Sequence, residues 1–415
     1  MMYAAIMGYG TIGSGVAEIL LGNRERIARC AGQEIGLKYV LDLRDFPDSP
    51  VADRIVHDFH VIEEDEQVKL VVETMGGLNP AYPFVKACLE AGKHVVTSNK
   101  ALVAAHGTEL LQIARDRGVN FFFEASVGGG IPIIRTLYRC LMGEGIQEIT
   151  GILNGTTNFI LTKMDREGAS FGEVLREAQE LGYAEQNPEA DVEGHDTCRK
   201  IAILTAMVTG KEVNYEDIHT EGITRITDMD FRYAKKLEAS VKLLGSSRIV
   251  GDKVYARVAP VMIGREHPLY SVCGVYNGIL VKSDMLGTSM YYGSGAGKLP
   301  TASAVVADLI EAAQNEGSNV FIGWGEGRQE IADNETNESR YFVRISGDAE
   351  EKSGQVQRAF GQVRTLVMEG ADEFAVLTEG MREAEFKERA IALDIEWQKA
   401  GGEGIRQIIR AELEG

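Results

Sequence analysis

The chain has 415 residues and a formal net charge of −19, because its 62 acidic side chains outnumber the 43 basic ones. That length suits two or three domains of about 100–200 residues each, and hydrophobic residues at 44% are enough to build a sizeable core. The acidic balance argues against nucleic acids and anionic membranes as partners, since both would be repelled.

Apolar runs alternate with amphipathic stretches over the first 135 residues. Strand patterns occur at 3–7, 37–43, 70–73, 94–97 and 119–124, and helical patterns at 11–21 and 81–91. This strand–helix–strand rhythm predicts an α/β domain with a doubly wound parallel sheet. We expect the domain to cover 1–135 and to be completed by residues 295–325.

The pattern changes after residue 135. Strand patterns at 147–153, 254–260 and 278–282 accompany helical ones at 171–181 and 196–208, which predicts a second, α+β domain at 136–294. Residues 293–297 (Gly-Ser-Gly-Ala-Gly) are expected to form a flexible hinge, and a helix at 301–313 to begin with Thr301 as its cap. From residue 340 onward the order strand–helix–strand–strand–helix, ending at 405–413, indicates a third unit.

Gly8, Gly10 and Gly13 form a GxGxxG motif between the first strand and the first helix. In a dinucleotide site the first glycine makes a tight turn, the second admits the pyrophosphate, and the third allows close packing of helix on strand. The helix start, at Thr11 and Ile12, offers N–H groups to the phosphates. A purely structural turn is the alternative, but the strand before and the helix after favour NAD or NADP binding.

Two residues at the end of the second strand favour different cofactors. Asp42 suits the ribose hydroxyls of NAD, whereas Arg44 suits the 2′-phosphate of NADP. Either is also explained as a solvated strand end. The sequence therefore leaves the choice between NAD and NADP open.

Two lysines are candidate catalytic groups. Ser98 and Lys100 follow the strand at 94–97, at the carboxyl edge of the sheet, where open α/β proteins bind ligands; a surface lysine is the alternative. Asp196 and Lys200 are four residues apart and share a helix face. A solvated salt bridge explains that spacing too, but apolar residues follow Lys200 at once, which favours an ammonium held by a carboxylate beside a site.

Longer motifs resemble those of the homoserine dehydrogenase family. They are VETMGG at 72–77, GKHVVTSNKALVA at 92–104, EASVGGGIPII at 124–134, NGTTNF at 154–159 and GAGKLPTASAVVAD at 295–308, besides 8–15 and 182–200. The resemblance spans residues 1–310. It implies a Rossmann domain and reversible, NAD(P)-dependent interconversion of L-homoserine and L-aspartate 4-semialdehyde in threonine, methionine and isoleucine biosynthesis. It also implies the monofunctional form, because the glycine turn begins at residue 8.

The resemblance implies roles for individual residues. Lys200 would transfer the proton at the substrate oxygen, Lys100 would assist beside the nicotinamide, and Asp196 would orient substrate and lysine. Residues expected to bind the substrate are Glu185, which meets its ammonium, Asp191, Asn154, Gly155 and Thr156. Residues expected to bind the cofactor are Gly8, Gly10, Thr11, Ile12, Gly13, Arg44, Ser98, Lys100 and Gly297. A Na⁺ or K⁺ site, held largely by carbonyl oxygens, is expected at Glu124, Val127, Gly129 and Ile131.

The chain departs from the family pattern after Glu185. The family commonly reads Pro-Asp-Pro there, whereas this chain has Gln186-Asn187-Pro188, so one aspartate is missing. This leaves the local shape of the loop open but not the role expected of Glu185.

The family also implies what the later domains do. Residues 136–294 would bind substrate and form the subunit contact of a homodimer or tetramer. Residues 335–415 resemble the ACT domain, a small ferredoxin-like module that binds amino acids in some relatives. Its glycine-bearing ligand turn is not clear at 347–354, so binding of an effector such as threonine, its loss, and a role in assembly alone all stay open.

Three other functions remain as alternatives. They are a dehydrogenase of another amino acid or semialdehyde, a nucleotide-sensing regulator without turnover, and a structural oligomer; Lys100, Glu185, Asp196 and Lys200 together argue against the regulator. Five widely spaced cysteines without a CxxC pair argue against disulfides and structural zinc. No basic-then-apolar leader precedes residue 3, and no apolar run reaches the ~18 residues of a membrane span. We therefore expect a cytoplasmic protein.

Overall fold

The computed structural model describes residues 1–399 and 403–413, which fall into two compact units. Unit 1 comprises Met1–Ile149, Arg199–Ile218 and Asn277–Glu330. Unit 2 comprises Thr150–Cys198, His219–Tyr276 and the chain from Ile331 onward. Each unit is thus assembled from three separate stretches of chain, and the division into three domains at 135 and 335 stays a prediction.

The regular elements follow one another in mixed order along the chain. The strands are β1 Met2–Met7, β2 Ile35–Leu41, β3 Ile55–Val56, β4 Val68–Glu73, β5 His94–Thr97, β6 Phe121–Phe122, β7 Ile146–Ile152, β8 His219–Thr220, β9 Ala239–Val250, β10 Lys253–Gly264, β11 Tyr276–Ser283, β12 Thr288–Ser294, β13 Glu338–Ser346, β14 Val363–Val367, β15 Glu373–Thr378, β16 Met381–Arg382 and β17 Ile405–Glu412. The helices are α1 Thr11–Gly22, α2 Arg24–Ala31, α3 His60–Glu63, α4 Ala81–Glu90, α5 Lys100–Asp116, α6 Ile133–Arg135, α7 Gly155–Glu167, α8 Phe171–Glu180, α9 Glu189–Val192, α10 His195–Thr209, α11 Asp228–Lys236, α12 Lys298–Gln314, α13 Ala349–Phe360 and α14 Glu383–Lys399. None of these helices, within the described ranges, is long and apolar enough to cross a bilayer.

Unit 1 contains a six-stranded sheet in the order β3-β2-β1-β4-β5-β6. All neighbours in it are parallel, with Ala4 of β1 paired to Leu37 on one side and to Leu70 on the other. Its central strands are almost wholly buried, as expected of a parallel sheet covered by helices on both faces. The predicted doubly wound parallel sheet is therefore confirmed.

Helix α12 packs against α1 within unit 1. The contact is close, since a Cβ at Gly15 of α1 would lie 3.0 Å from the Cβ of Ala302. The predicted cap at Thr301 was wrong, because α12 begins at Lys298 with Gly297 (φ 115°) before it and Thr301 buried inside it. Pro300 is accommodated because the N–H groups of a first helical turn have no intrahelical partner to lose.

Unit 2 is built on strands in the order β9-β10-β17-β13-β15-β14. The hairpin β9–β10 is antiparallel, and β17 lies parallel to β10 on one side and antiparallel to β13 on the other. The sheet of the predicted third unit is thus continuous with β10, and its core includes the stacked rings of Tyr341 and Phe386, whose centroids are 3.6 Å apart. The sequence predicted the succession of strands and helices after residue 340, but not their order in the sheet, and in unit 2 it missed α7, α11 and β9.

Candidate active site

The turn between β1 and α1 leaves no room for a side chain at Gly13, where a Cβ would lie 1.9 Å from the carbonyl oxygen of Gly8. Gly8 itself has a φ of 97°, which favours glycine. At Gly10, by contrast, the described part of the chain puts no heavy atom within 4 Å of such a Cβ. Helix α1 then starts at Thr11 without a side-chain cap, so the N–H groups of its first turn, including that of Ile12, face a ligand position. This geometry fits a pyrophosphate.

A cavity of about 490 Å³ lies beside this turn, and both Asp42 and Arg44 line it. The Asp42 carboxylate accepts hydrogen bonds from the Tyr9 N–H at 2.8 Å and from Arg44 Nε and Nη2 at 3.0 and 3.2 Å. The hydrogen bond from Arg44 lowers the pKa of Asp42 to about 2. Asp42 is therefore ionised and held at the end of β2, while Arg44 is exposed and rests on Asp42.

The loops after β4 and β5 are tied together by Glu73, a residue to which sequence reasoning gave no role. Its buried carboxylate accepts hydrogen bonds from the N–H groups of Met75 and Gly76 at 2.8 and 3.1 Å, and from the Thr97 hydroxyl at 2.5 Å. Burial raises the pKa of Glu73, and these hydrogen bonds oppose that rise. The carboxylate fixes the cavity-lining turn at Met75 against the strand end that precedes Ser98. The only signal for it in the sequence was the VETMGG motif.

Lys100 is the first residue of α5, at the predicted carboxyl edge of the parallel sheet. Asn99 caps this helix by accepting a hydrogen bond from the Leu102 N–H at 3.1 Å, and its amide donates to the Gly77 carbonyl at 2.6 Å. Ser98 and Lys100 are both half-buried. The cap therefore fixes the position of Lys100 at the start of α5.

Helix α10 carries Asp196 and Lys200 one turn apart on the same face. Both residues are buried, with 2% and 8% of their surface exposed. A solvated salt bridge, the alternative left open by the spacing, does not fit this burial. The burial of two ionisable groups makes this pair a candidate for a functional site.

In unit 2, Asn154 holds two of the predicted carboxylates together. Its Nδ2 donates to Asp191 Oδ1 at 2.7 Å and to Asp196 Oδ2 at 2.9 Å. Its Oδ1 accepts from the Thr157 N–H at 2.8 Å and so caps α7. One side chain thus begins a helix and fixes the spacing of two acidic groups.

The other predicted substrate residues surround the start of α7. A Cβ at Gly155 would lie 2.7 Å from the Val275 carbonyl oxygen, so a larger residue does not fit. The Thr156 hydroxyl donates to the Tyr183 carbonyl at 2.6 Å, which fixes the chain just before Glu185. The Glu185 side chain is exposed, unlike that of Asp196.

At the predicted cation loop, the Glu124 carboxylate binds main-chain N–H groups. Its two oxygens accept hydrogen bonds from the N–H groups of Ile134 and Arg135 at 2.8 and 2.7 Å, and burial raises its pKa. Gly129 (φ 55°) packs so closely on Gly295 that a Cβ would lie 2.6 Å from its carbonyl oxygen. A cation here would therefore need main-chain carbonyl ligands.

Val127 and Ile131, the other two residues of this predicted site, are both buried. Over residues 1–399 and 403–413, no three His, Cys, Asp or Glu side chains are placed to hold a metal ion. This finding does not bear on a site made of main-chain oxygens.

Two family models match the chain. The model described as "Homoserine dehydrogenase, NAD binding domain" matches residues 8–124, and the model described as "Homoserine dehydrogenase" matches residues 132–310. The chain belongs to the homoserine dehydrogenase family. The predictions of family, fold class and NAD(P)-dependent oxidoreductase activity are thereby confirmed.

Homoserine dehydrogenases of other organisms are similar to about three quarters of this chain. The homoserine dehydrogenase of Synechocystis is 45% identical over 312 residues, 74% of this chain and 72% of that protein. The homoserine dehydrogenase of Bacillus subtilis is 39% identical over 326 residues, 77% of this chain and 75% of that protein.

Solved structures differ in how much of this chain they cover. That of a homoserine dehydrogenase from Thiobacillus denitrificans, at 34% identity and a TM-score of 0.90, covers 100% of this chain and 99% of its own. A hyperthermophilic archaeal homoserine dehydrogenase in complex with NADPH, at 27% identity and a TM-score of 0.63, covers 75% of this chain and 97% of its own.

Proposed function

We propose that this homoserine dehydrogenase interconverts L-homoserine and L-aspartate 4-semialdehyde with Lys200 as its proton-transfer group. The observation that carries the proposal is the burial of Asp196 and Lys200 on one face of α10, with Asp196 fixed by Asn154. When bound, the dinucleotide supplies or accepts the hydride. The Lys200 ammonium would stabilise the negative charge that develops on the substrate oxygen, and would deliver its proton.

The substrate is a zwitterionic amino acid, so its ammonium needs carboxylates. Asp191 and Asp196 are held beside each other by Asn154, and Glu185 would meet the ammonium from the adjoining loop. The backbone at Gly155 and Thr156 would close this side of the substrate site. Support comes from the close contact at Gly155, which brings the start of α7 against the chain at Val275.

The dinucleotide would bind along the glycine turn, with its pyrophosphate at Gly10, Thr11 and Ile12. Ser98 and Lys100 would lie beside the nicotinamide, and Gly297 would approach the cofactor at the start of α12. Asp42 supports NAD because it is ionised and fixed, whereas NADP would require Arg44 to turn from Asp42 to the 2′-phosphate. Both cofactors therefore remain candidates.

Further properties stay predictions. A Na⁺ or K⁺ would be held by main-chain oxygens of the loop at 124–131, since the Glu124 carboxylate already binds two N–H groups. A homodimer or tetramer is supported by the exposed apolar side chains Met290 and Tyr292 on β12. An amino-acid effector at 335–415 and a cytoplasmic location have no direct support from the fold.

The test follows the absorbance of reduced nicotinamide on mixing purified protein with L-homoserine and either NAD⁺ or NADP⁺, with and without Na⁺ or K⁺. We expect turnover with wild type and its near-complete loss in Lys200→Ala. Lys211→Ala, which removes an exposed lysine nearby in sequence, is the matched control. Absence of turnover by wild type, despite dinucleotide binding, would contradict the proposal and favour a sensor.

A further inference from the structure

A short segment of unit 2, residues 219–223, lies against the turn that joins α9 to α10. The Ile223 N–H donates to the Val192 carbonyl at 2.8 Å. Gly222 packs so closely that a Cβ would lie 2.4 Å from the Val192 oxygen and 2.6 Å from Glu193 Cα. From the other side, a Cβ at Gly194 would lie 3.1 Å from Thr220 Cγ2. The segment and the turn therefore cannot shift independently.

This turn lies between Asp191 and Asp196, the two residues whose carboxylates bind the substrate in the proposed function. Asp191 ends one side of it, where its carbonyl accepts from the Gly194 N–H at 3.0 Å, and Asp196 opens α10 on the other. Both are hydrogen-bonded to the amide of Asn154. A displacement of segment 219–223 would consequently change how the two carboxylates face a substrate.

Segment 219–223 pairs with β10, where the Glu221 N–H donates to the Val258 carbonyl at 2.8 Å, and an ion pair of the Glu221 side chain joins it to the C-terminal strands. Arg410 of β17 donates from Nη1 to Glu221 Oε1 at 2.7 Å and from Nη2 to Glu383 Oε1 at 2.7 Å. Arg410 and Glu383 are buried, with 7% and 1% exposed. A cavity of about 890 Å³ opens between the segment and these strands, so the ion pair rather than close packing joins them there.

The charges around Glu221 favour a permanent ion pair. Its Oε1 also lies 2.7 Å from Nε2 of His219. Although burial raises the pKa of Glu221, the hydrogen bond with His219 and the Arg410 charge lower it to about 2. Glu221 is thus ionised throughout the range in which an enzyme assay is run.

We propose that Glu221 and Arg410 are positioning residues for the amino-acid substrate. Their ion pair fixes segment 219–223, the segment fixes the turn at 192–194, and the turn sets the orientation of Asp191 and Asp196. The C-terminal strands then contribute to substrate affinity without touching the substrate. This inference rests on the proposed role of the two aspartates.

A second buried ion pair provides the control. Arg344 of β13 donates from Nη1 to Asp230 Oδ1 of α11 at 2.8 Å and from Nε to Glu373 Oε1 at 2.9 Å. Asp230 is fully buried, like Glu383. This pair also joins the C-terminal strands to the rest of unit 2, but it ends on α11 and not on segment 219–223. Its loss therefore tests stability alone.

The experiment compares Glu221→Gln, Arg410→Lys and Asp230→Asn in the full chain. For Glu221→Gln we expect KM for homoserine to rise about 2- to 30-fold, the range of coupling through a packed network. KM for the dinucleotide should change less than about twofold, since the glycine turn belongs to unit 1. Arg410→Lys keeps the charge but loses the planar fork that bridges Glu221 and Glu383, so KM for homoserine should rise in this variant too. Asp230→Asn should lower the unfolding midpoint and leave KM for homoserine unchanged.

Two results would overturn the inference alone. The first is a folded Glu221→Gln variant with wild-type KM for homoserine, and the second is an equal rise of KM in Asp230→Asn. Isothermal titration of L-homoserine into the protein loaded with reduced dinucleotide, which cannot accept a hydride, gives the affinity independently of turnover. If wild type neither binds nor oxidises homoserine, both the inference and the proposed function fail.

Discussion

The amide of Asn154 offers an exacting test of the site, because this one group donates hydrogen bonds to both Asp191 and Asp196. Asn154→Asp keeps the shape of the side chain and its capping oxygen, since aspartate is as good an N-cap as asparagine. The Asn154 NH₂ group donates to Asp191 and Asp196 at 2.7 and 2.9 Å. The substitution puts an oxygen of a third carboxylate in its place. The substitution therefore turns two attractions into two repulsions.

The magnitude follows from protonation. Two unit charges about 4 Å apart repel by about 4 kcal/mol at an effective dielectric constant near 20. One of the three carboxylates of the folded variant is therefore expected to bind a proton, which removes this repulsion. Holding a proton on an aspartate of ordinary pKa costs about 4 kcal/mol at pH 7 and about 1.5 kcal/mol at pH 5. The electrostatic loss of stability should thus shrink by about 3 kcal/mol between these pH values. The sign follows because the folded variant binds more protons than the unfolded chain, so its stability falls as pH rises.

Urea unfolding of wild type, Asn154→Asp and Asn154→Ser at both pH values measures this difference. The serine variant keeps a cap but adds no charge, so we expect its loss, of about 2–3 kcal/mol for the missing donors, to be nearly the same at both. A loss in Asn154→Asp that does not depend on pH would show that the amide does not lie between two ionised carboxylates. The reasoning about this cluster would then be refuted.

Four further expectations can be tested separately. Gly13→Ala should abolish dinucleotide binding, because its Cβ would lie 1.9 Å from the Gly8 oxygen. Fluorescence of the reduced cofactor measures the binding, and the control Gly22→Ala, whose Cβ meets no described atom within 4 Å, should bind normally. Lys200→Ala should lower kcat by about 10²–10⁴; near-normal turnover would remove it from the mechanism. Arg44→Ala should raise KM for NADP by about tenfold or more and spare NAD, because a charge-assisted bond to the 2′-phosphate is lost, and equal effects on both cofactors would exclude such a bond. His94, whose pKa burial lowers to about 4, should cost wild type about 3 kcal/mol of stability as pH falls from about 6.5 to about 4, since the unfolded chain then binds the extra proton; unfolding of His94→Asn should lack this pH dependence.

Local chemistry made several features of this enzyme readable from its sequence. The glycine turn depends on three residues within six positions, and the strand before and the helix after it are themselves local patterns. Asp196 and Lys200 needed only the helical repeat to be placed on one face. The parallel sheet of unit 1 followed from the alternation of apolar strands with amphipathic helices, since such strands must be covered on both faces.

Other features exist only because distant parts of the chain meet. Asn154 binds carboxylates 37 and 42 residues away, and Arg410 binds Glu221 at a separation of 189 residues. No periodicity encodes such contacts, because a side-chain hydrogen bond depends on where backbones finally lie. The hydrogen bonds of Glu73 likewise have no signal in the sequence, where this residue is an acidic side chain at the end of a strand.

Tertiary structure also decided what individual charges do. Glu124 resembles a cation ligand in the sequence, yet its oxygens accept the N–H groups at the start of α6. Asp42 and Arg44 suggested rival cofactors, yet in the fold they bind each other. A charged side chain binds whichever opposite charge or polar group reaches it once water is excluded. The sequence by itself therefore determined the fold class and the family, whereas the partners of the charged side chains were decided by burial and long-range packing.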